Sequence, residues 1–140
     1  MISGVVALTV FALVVCVIVL FAREAGPMPA DIAVSYELAW DRLDFDTLWS
    51  LSGSELRDGL DKKAYIVAKR AAYAGQTELG NLAERVELED VAVGLAHAVV
   101  RTRVTLHTGA VVHNDIALTR RSSSWVVTGY ELVPAPSQTV

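Results

Sequence analysis

Apolar residues fill the first 22 positions except Ser3, Gly4 and Thr9, and the run from Ile2 to Ala22 carries no charge. As a helix, that run is about 31 Å long, the thickness of a bilayer's hydrocarbon core. The pattern predicts one membrane-spanning helix over 2–22. A cleaved signal peptide is the competing reading, but it needs a basic start, a shorter apolar core and a small-residue cleavage site, whereas only Met1 precedes this run. Gly26, Pro27 and Pro29 then break the helix, so 23–30 reads as a short, stiff linker.

Beyond the linker the apolar positions take helical spacing. Asp31 reads as an N-cap, and Ile32, Tyr36, Ala39, Trp40 and Leu43 fall on one helix face. Asp44 or Asp46 caps a second short helix carrying Leu48, Trp49 and Leu51, ended at Ser52 and Gly53. Asp61 caps a third, in which Ala64, Val67, Ala68, Ala71 and Ala72 form the expected buried stripe, with Gly75 just past its end.

After Gly75 the period changes from 3.6 to 2. A first, less regular strand is expected over 85–93. In the next, Ala98, Val100, Thr102, Val104 and Leu106 alternate with Val99, Arg101, Arg103 and Thr105. Thr108 and Gly109 turn the chain into a strand over 110–119, with Val112, Ile116 and Leu118 on one face and His113 and Asp115 on the other. Ser122 to Ser124 turn it again into a last strand over 125–133, and 134–140 is an extended polar tail. Short turns force antiparallel pairing. The expectation is an α+β domain over 31–133, about three helices packed on a curved antiparallel sheet of about four strands.

Composition sharpens this picture. The chain is 53% hydrophobic with a mean hydropathy of +0.41, high for a soluble domain, and the excess is concentrated in the first 22 residues. All charged residues follow that segment, 12 basic against 16 acidic. Eight acids fall between Asp31 and Asp61 against Arg42 and Arg57 alone, which disfavours nucleic acid or anionic headgroups as partners. Such a helical layer can meet a basic protein surface, or the acids can simply cap helices. Arg23 directly after the span and no basic residue before it favour a cytoplasmic domain, with an extracytoplasmic one as the alternative. No Asp, Glu, Lys, Arg or His interrupts the span, so it holds no ion path of its own.

The first helix with Tyr36 and Trp40, two further helices, and a last strand reading Trp125-Val-Val-Thr-Gly-Tyr130 together resemble the nuclear transport factor 2-like superfamily. The resemblance covers about 31–133 and implies a cone-shaped α+β fold that hosts isomerases, hydrolases and non-catalytic modules alike. Small single-pass proteins of this form are also similar to accessory proteins of actinobacterial membranes, some attached to respiratory complexes. In the superfamily's enzymes an aspartate acts deep in the cone beside a tyrosine or second acid. A catalytic carry-over here would rest on Asp115 alone.

The candidate chemistry is correspondingly thin. Were the chain an enzyme, Asp115, His113 and Arg101 on neighbouring strands would be its acid–base set. The alternative is a solvated sheet face with cross-strand pairs. His97, His107 and His113 lack the close pairing of a zinc site, so no metal is expected, and no motif implies a cofactor. Ser3 with Ala7 and Ala12 with Cys16 place small residues four apart, which lets a second membrane helix approach, although a plain lipid-facing anchor reads equally well. Trp49 and Tyr65 are candidate protein-interface anchors, with burial in the core as the plainer role. The expected function is a non-catalytic accessory subunit of a larger membrane complex, in its most specific form a respiratory supercomplex. The alternative is a membrane-tethered small-molecule binder or enzyme using the cone. Homodimerisation through the sheet is a further expectation.

Overall fold

Proline at the first position of a helix loses no hydrogen bond and already has a helical φ. That is where Pro29 sits. The computed structural model describes residues 26–134, and its first helix, α1 (Pro29–Asp41), begins three residues earlier than the Asp31 cap predicted. Met28 takes the cap position, its carbonyl accepting from the Ile32 amide at 3.1 Å, and Asp31 lies in the first turn, where it complements the dipole. The predicted span 2–22, with Ser3, Ala7, Ala12 and Cys16, lies outside the described residues, as do 135–140. Among the described residues no helix is long and apolar enough to cross a membrane.

The two shorter helices start where their aspartates predict. Asp44 accepts from the Thr47 amide at 3.2 Å and hydroxyl at 2.6 Å, opening α2 (Phe45–Leu51). Asp61 accepts from the Ala64 amide at 2.8 Å, opening α3 (Lys62–Tyr73). On α3, however, the face is reversed. Ala64, Val67, Ala68, Ala71 and Ala72 are exposed, while Tyr65, Lys69 and Tyr73, spaced at i, i+4 and i+8, turn inward. Two tyrosines bury far more apolar surface than a row of alanines, and that difference sets the helix rotation. Tyr73 stacks with Phe45 at 5.6 Å and Trp40 at 6.0 Å between ring centroids, so one aromatic cluster ties the three helices together.

Four antiparallel strands follow in sequential order: β1 (Ala83–Val93), β2 (His97–Leu106), β3 (Val111–Arg121) and β4 (Ser124–Val133). The irregular pattern of β1 has a physical cause. A register shift between Leu88 and Asp90 inserts one residue, so Val86 and Leu88 before it and Val91 and Val93 after it share the sheet face of Val104, Thr102, Val100 and Ala98, although Leu88, Val91 and Val93 stay exposed on this edge strand. Val100, Ile116, Leu118 and Val127 form the sheet's inner face and pack with Ile32, Ala33, Tyr36 and Leu48 of the helices. The β1–β2 and β3–β4 turns lie at one end of the sheet, and the chain arrives there, with Gly26 beside the Ser123 carbonyl. The first helix runs to the other end, where the Asp41 carboxylate accepts the Ala83 amide at 2.9 Å.

Candidate functional site

One polar group crosses the interior. Glu37 follows Tyr36 on the inward side of α1 and is only 6% exposed, a costly position for a carboxylate without partners. The sheet supplies them. Thr102 on β2 and Asn114 on β3 are direct cross-strand partners, both buried on the inner face, and Tyr130 comes from β4. Glu37 Oε1 accepts from Thr102 Oγ1 at 2.6 Å and Asn114 Nδ2 at 2.9 Å, and its Oε2 accepts from Tyr130 Oη at 3.0 Å. Asn114 Nδ2 also donates to Tyr130 Oη at 2.9 Å, closing the network. Burial and the adjacent Glu37 carboxylate push the Tyr130 hydroxyl's pKa up, which keeps it protonated and donating. Among the described residues no Lys, Arg or His lies within ion-pair distance of Glu37.

Three members of this network, Glu37, Asn114 and Tyr130, form the polar floor of an open cavity of about 710 Å³, inside the range of about 300–1,000 Å³ usual for small-molecule sites. Tyr36, Trp40 and Tyr73 line it from the helices and Val104 and Val112 from the sheet. Leu79, Leu82, Leu106 and Leu132 line it at the end of the sheet away from the chain's arrival; Leu132 is 61% exposed. Its other charged residues are engaged: Lys69 pairs with Asp58 at 3.2 Å, Glu55 with Arg121, and Asp41 with the Ala83 amide. The indole N–H of Trp40 is buried without a hydrogen-bond partner among the described residues.

The acid–base set expected from the sequence lies elsewhere. Arg101, His113 and Asp115 occupy the sheet's outer face, one residue out of step with Thr102 and Asn114. Arg101 binds Asp115 through two nitrogens at 2.8 and 3.0 Å, and His113 Nδ1 lies 2.7 Å from Glu89 Oε2. None of the three lines the cavity. The Arg101 guanidinium lowers the Asp115 pKa, as expected of an ordinary cross-strand ion pair. Tyr65, proposed as an interface anchor, is 2% exposed and therefore a core residue. Trp49 is half-buried, its Nε1 donating to the Leu60 carbonyl at 3.2 Å and its ring covered by the Arg57 guanidinium at 3.6 Å. No group of three or more His, Cys, Asp or Glu placed to hold a metal occurs among the described residues.

Glu37, Thr102 and Asn114 belong to no motif, yet each leaves a signal in the sequence. Thr102 interrupts the apolar face between Val100 and Val104, Asn114 does the same between Val112 and Ile116, and Glu37 lies among the inward residues of α1. Polar residues at inward positions on three elements require one another.

No protein-family model matches the sequence, and no curated protein matches it. Among solved structures, the chain is similar to a Campylobacter jejuni protein described as a nuclear transport factor 2-like transpeptidase. The two are 16% identical with a TM-score of 0.55, over 72% of this chain and 97% of that one. It is also similar to a SEC-C motif-containing protein of Rhodopseudomonas palustris, 17% identical with a TM-score of 0.52, over 76% of this chain and 79% of that one. At such identities the likeness concerns the fold, and the first supports a nuclear transport factor 2-like fold for this α+β domain of three helices on a four-stranded antiparallel sheet.

Proposed function

We propose that the chain is a membrane-tethered binding module whose cone holds a small molecule with an apolar body. The observation that carries this reading is a buried carboxylate, held by three neutral donors, at the floor of an open cavity lined by aromatic and aliphatic side chains. The tether is the apolar run 2–22, and the domain lies on the cytoplasmic side. The test uses the full chain in phosphatidylcholine nanodiscs. Titrating 1-adamantanol should shift the Asn114 side-chain amide resonances saturably, and Leu106→Trp, which fills the cavity, should abolish the shift. A linear, unsaturable response in the native chain would sink the reading.

A second reading, an accessory subunit of an integral membrane complex such as a respiratory supercomplex, is favoured by a different observation. Met28, Val93 and Leu95 are exposed at the end where the N-terminal segment joins the domain, Leu95 by 94%. Solubilisation in mild detergent followed by mass spectrometry should then find stoichiometric membrane partners, and a lone chain would count against it. Self-association through the outer sheet face, where Val99 and Val111 are exposed, would appear as crosslinked dimers in the same preparation.

A further inference from the structure

The hydrogen-bond inventory of the cavity floor has a direction. Tyr130 spends its one proton on Glu37, Asn114 spends its amide protons on Glu37 and Tyr130, and Thr102 spends its hydroxyl proton on Glu37. Glu37, Thr102, Asn114 and Tyr130 therefore have no donor left to offer, and the unpartnered indole N–H of Trp40, in the wall of the same cavity, is itself buried. What the floor retains is acceptor capacity: a carboxylate takes about four hydrogen bonds, and Glu37 receives two at Oε1 but only one at Oε2. An incoming group satisfies this floor only by donating.

Charge points the same way. Glu37 has no cation within ion-pair distance among the described residues, and its three partners are neutral. Of the charged groups lining the cavity, Glu37, Asp41, Glu55 and Asp58 are acids, and the single base, Lys69, is held by Asp58. A buried carboxylate in low dielectric gains most from a ligand that brings the missing positive charge and loses most beside a second anion. Tyr36, Trp40 and Tyr73 add aromatic rings, which also attract cations.

We propose that the cavity is selective for cationic ligands, taking a protonated amine on a compact apolar body with its ammonium against Glu37. The proposal rests on the reading of the cone as a small-molecule site. An alkanol can fill the same space, but it donates a single neutral hydrogen bond. A carboxylate of the same shape meets Glu37 with no donor between them.

Three probes of one shape separate these possibilities: 1-adamantylamine, 1-adamantanol and 1-adamantanecarboxylate. Each is titrated into the full chain in phosphatidylcholine nanodiscs and read at the Asn114 side-chain amide. The amine should bind about tenfold tighter than the alcohol and the carboxylate should not saturate, as a charge-assisted hydrogen bond in place of a neutral one implies. In Glu37→Gln the amine should fall to the affinity of the alcohol. Equal affinity for alcohol and amine in the native chain would overturn the charge selectivity while leaving the cavity reading intact. Saturable binding of the carboxylate, or an amine preference that survives in a folded Glu37→Gln chain, would also overturn it. Failure of all three probes to bind would remove both readings. Should Glu37→Gln not fold, the ranking of the three probes on the native chain decides alone.

Discussion

Tyr130 Oη donates to Glu37 Oε2 at 3.0 Å, joining the last strand to the first helix across 93 positions of sequence. This contact helps hold the helix over the sheet at the cavity floor. Because Tyr130 also accepts from Asn114, the hydroxyl is shared by two members of the network.

Removing that hydroxyl while keeping the ring isolates its contribution. Tyr130→Phe leaves a buried carboxylate one donor short and should destabilise the domain by about 1–3 kcal/mol. In a Glu37→Gln background, where the charge is already gone, the same change should cost less. Urea unfolding followed by tryptophan fluorescence measures both, and equal costs in the two backgrounds would mean that the contact carries no coupling.

The rotation of α3 gives a sharper contrast, since Tyr65 and Val67 are two residues apart and face opposite ways. Val67 is 62% exposed, so Val67→Lys should change stability by no more than about 0.5 kcal/mol. Tyr65→Ala should cost about 3 kcal/mol or more, in line with truncation of other buried aromatics. Thermal melts of the two variants reveal the orientation, because the opposite ranking would put the alanine stripe back in the core.

Much of the fold was legible because it depends on local chemistry. Asp44 and Asp61 mark helix starts through side-chain caps, Gly75 marks an end with a positive φ, and the alternation in β2 and β3 names the inward residues. Where two chemistries competed, the pattern misled. Counting apolar positions on α3 weighted five small side chains above two large ones, and Pro29 looked like a breaker although it starts the helix. The site was hidden for a different reason: Glu37 and Tyr130 are brought together only by the tertiary fold. The visible polar cluster of Arg101, His113 and Asp115 was real, but strand parity places it on the other side of the sheet from Thr102 and Asn114.

That parity predicts a separation of roles. Asp115→Ala removes an outer-face ion pair whose side chains are 44% and 31% exposed, so the loss should stay below about 1 kcal/mol. Saturation by 1-adamantanol should be unaffected, because no member of the pair lines the cavity. Loss of binding in a folded Asp115→Ala chain would instead reinstate the outer face as the site.

Alkaline pH should open the domain through the buried Tyr36 and Tyr65 and the partly buried hydroxyl of Tyr130. Burial raises the Tyr65 pKa from 10.0 to about 12 and raises that of Tyr36, while that of Tyr130, a residue 40% exposed, is raised by partial burial of its hydroxyl and by the adjacent Glu37 carboxylate. Since the folded state holds these protons more tightly than the unfolded chain, their contribution is fully present below pH 10 and disappears as pH rises through the folded values. Stability should therefore fall between pH 10 and 12. Tyrosinate absorbance at 295 nm, recorded alongside tryptophan fluorescence, tests the coupling. The buried tyrosines should ionise together with unfolding, and Tyr65→Phe should make the decline shallower. Ionisation of all the tyrosines near pH 10 with the fold intact would contradict their burial.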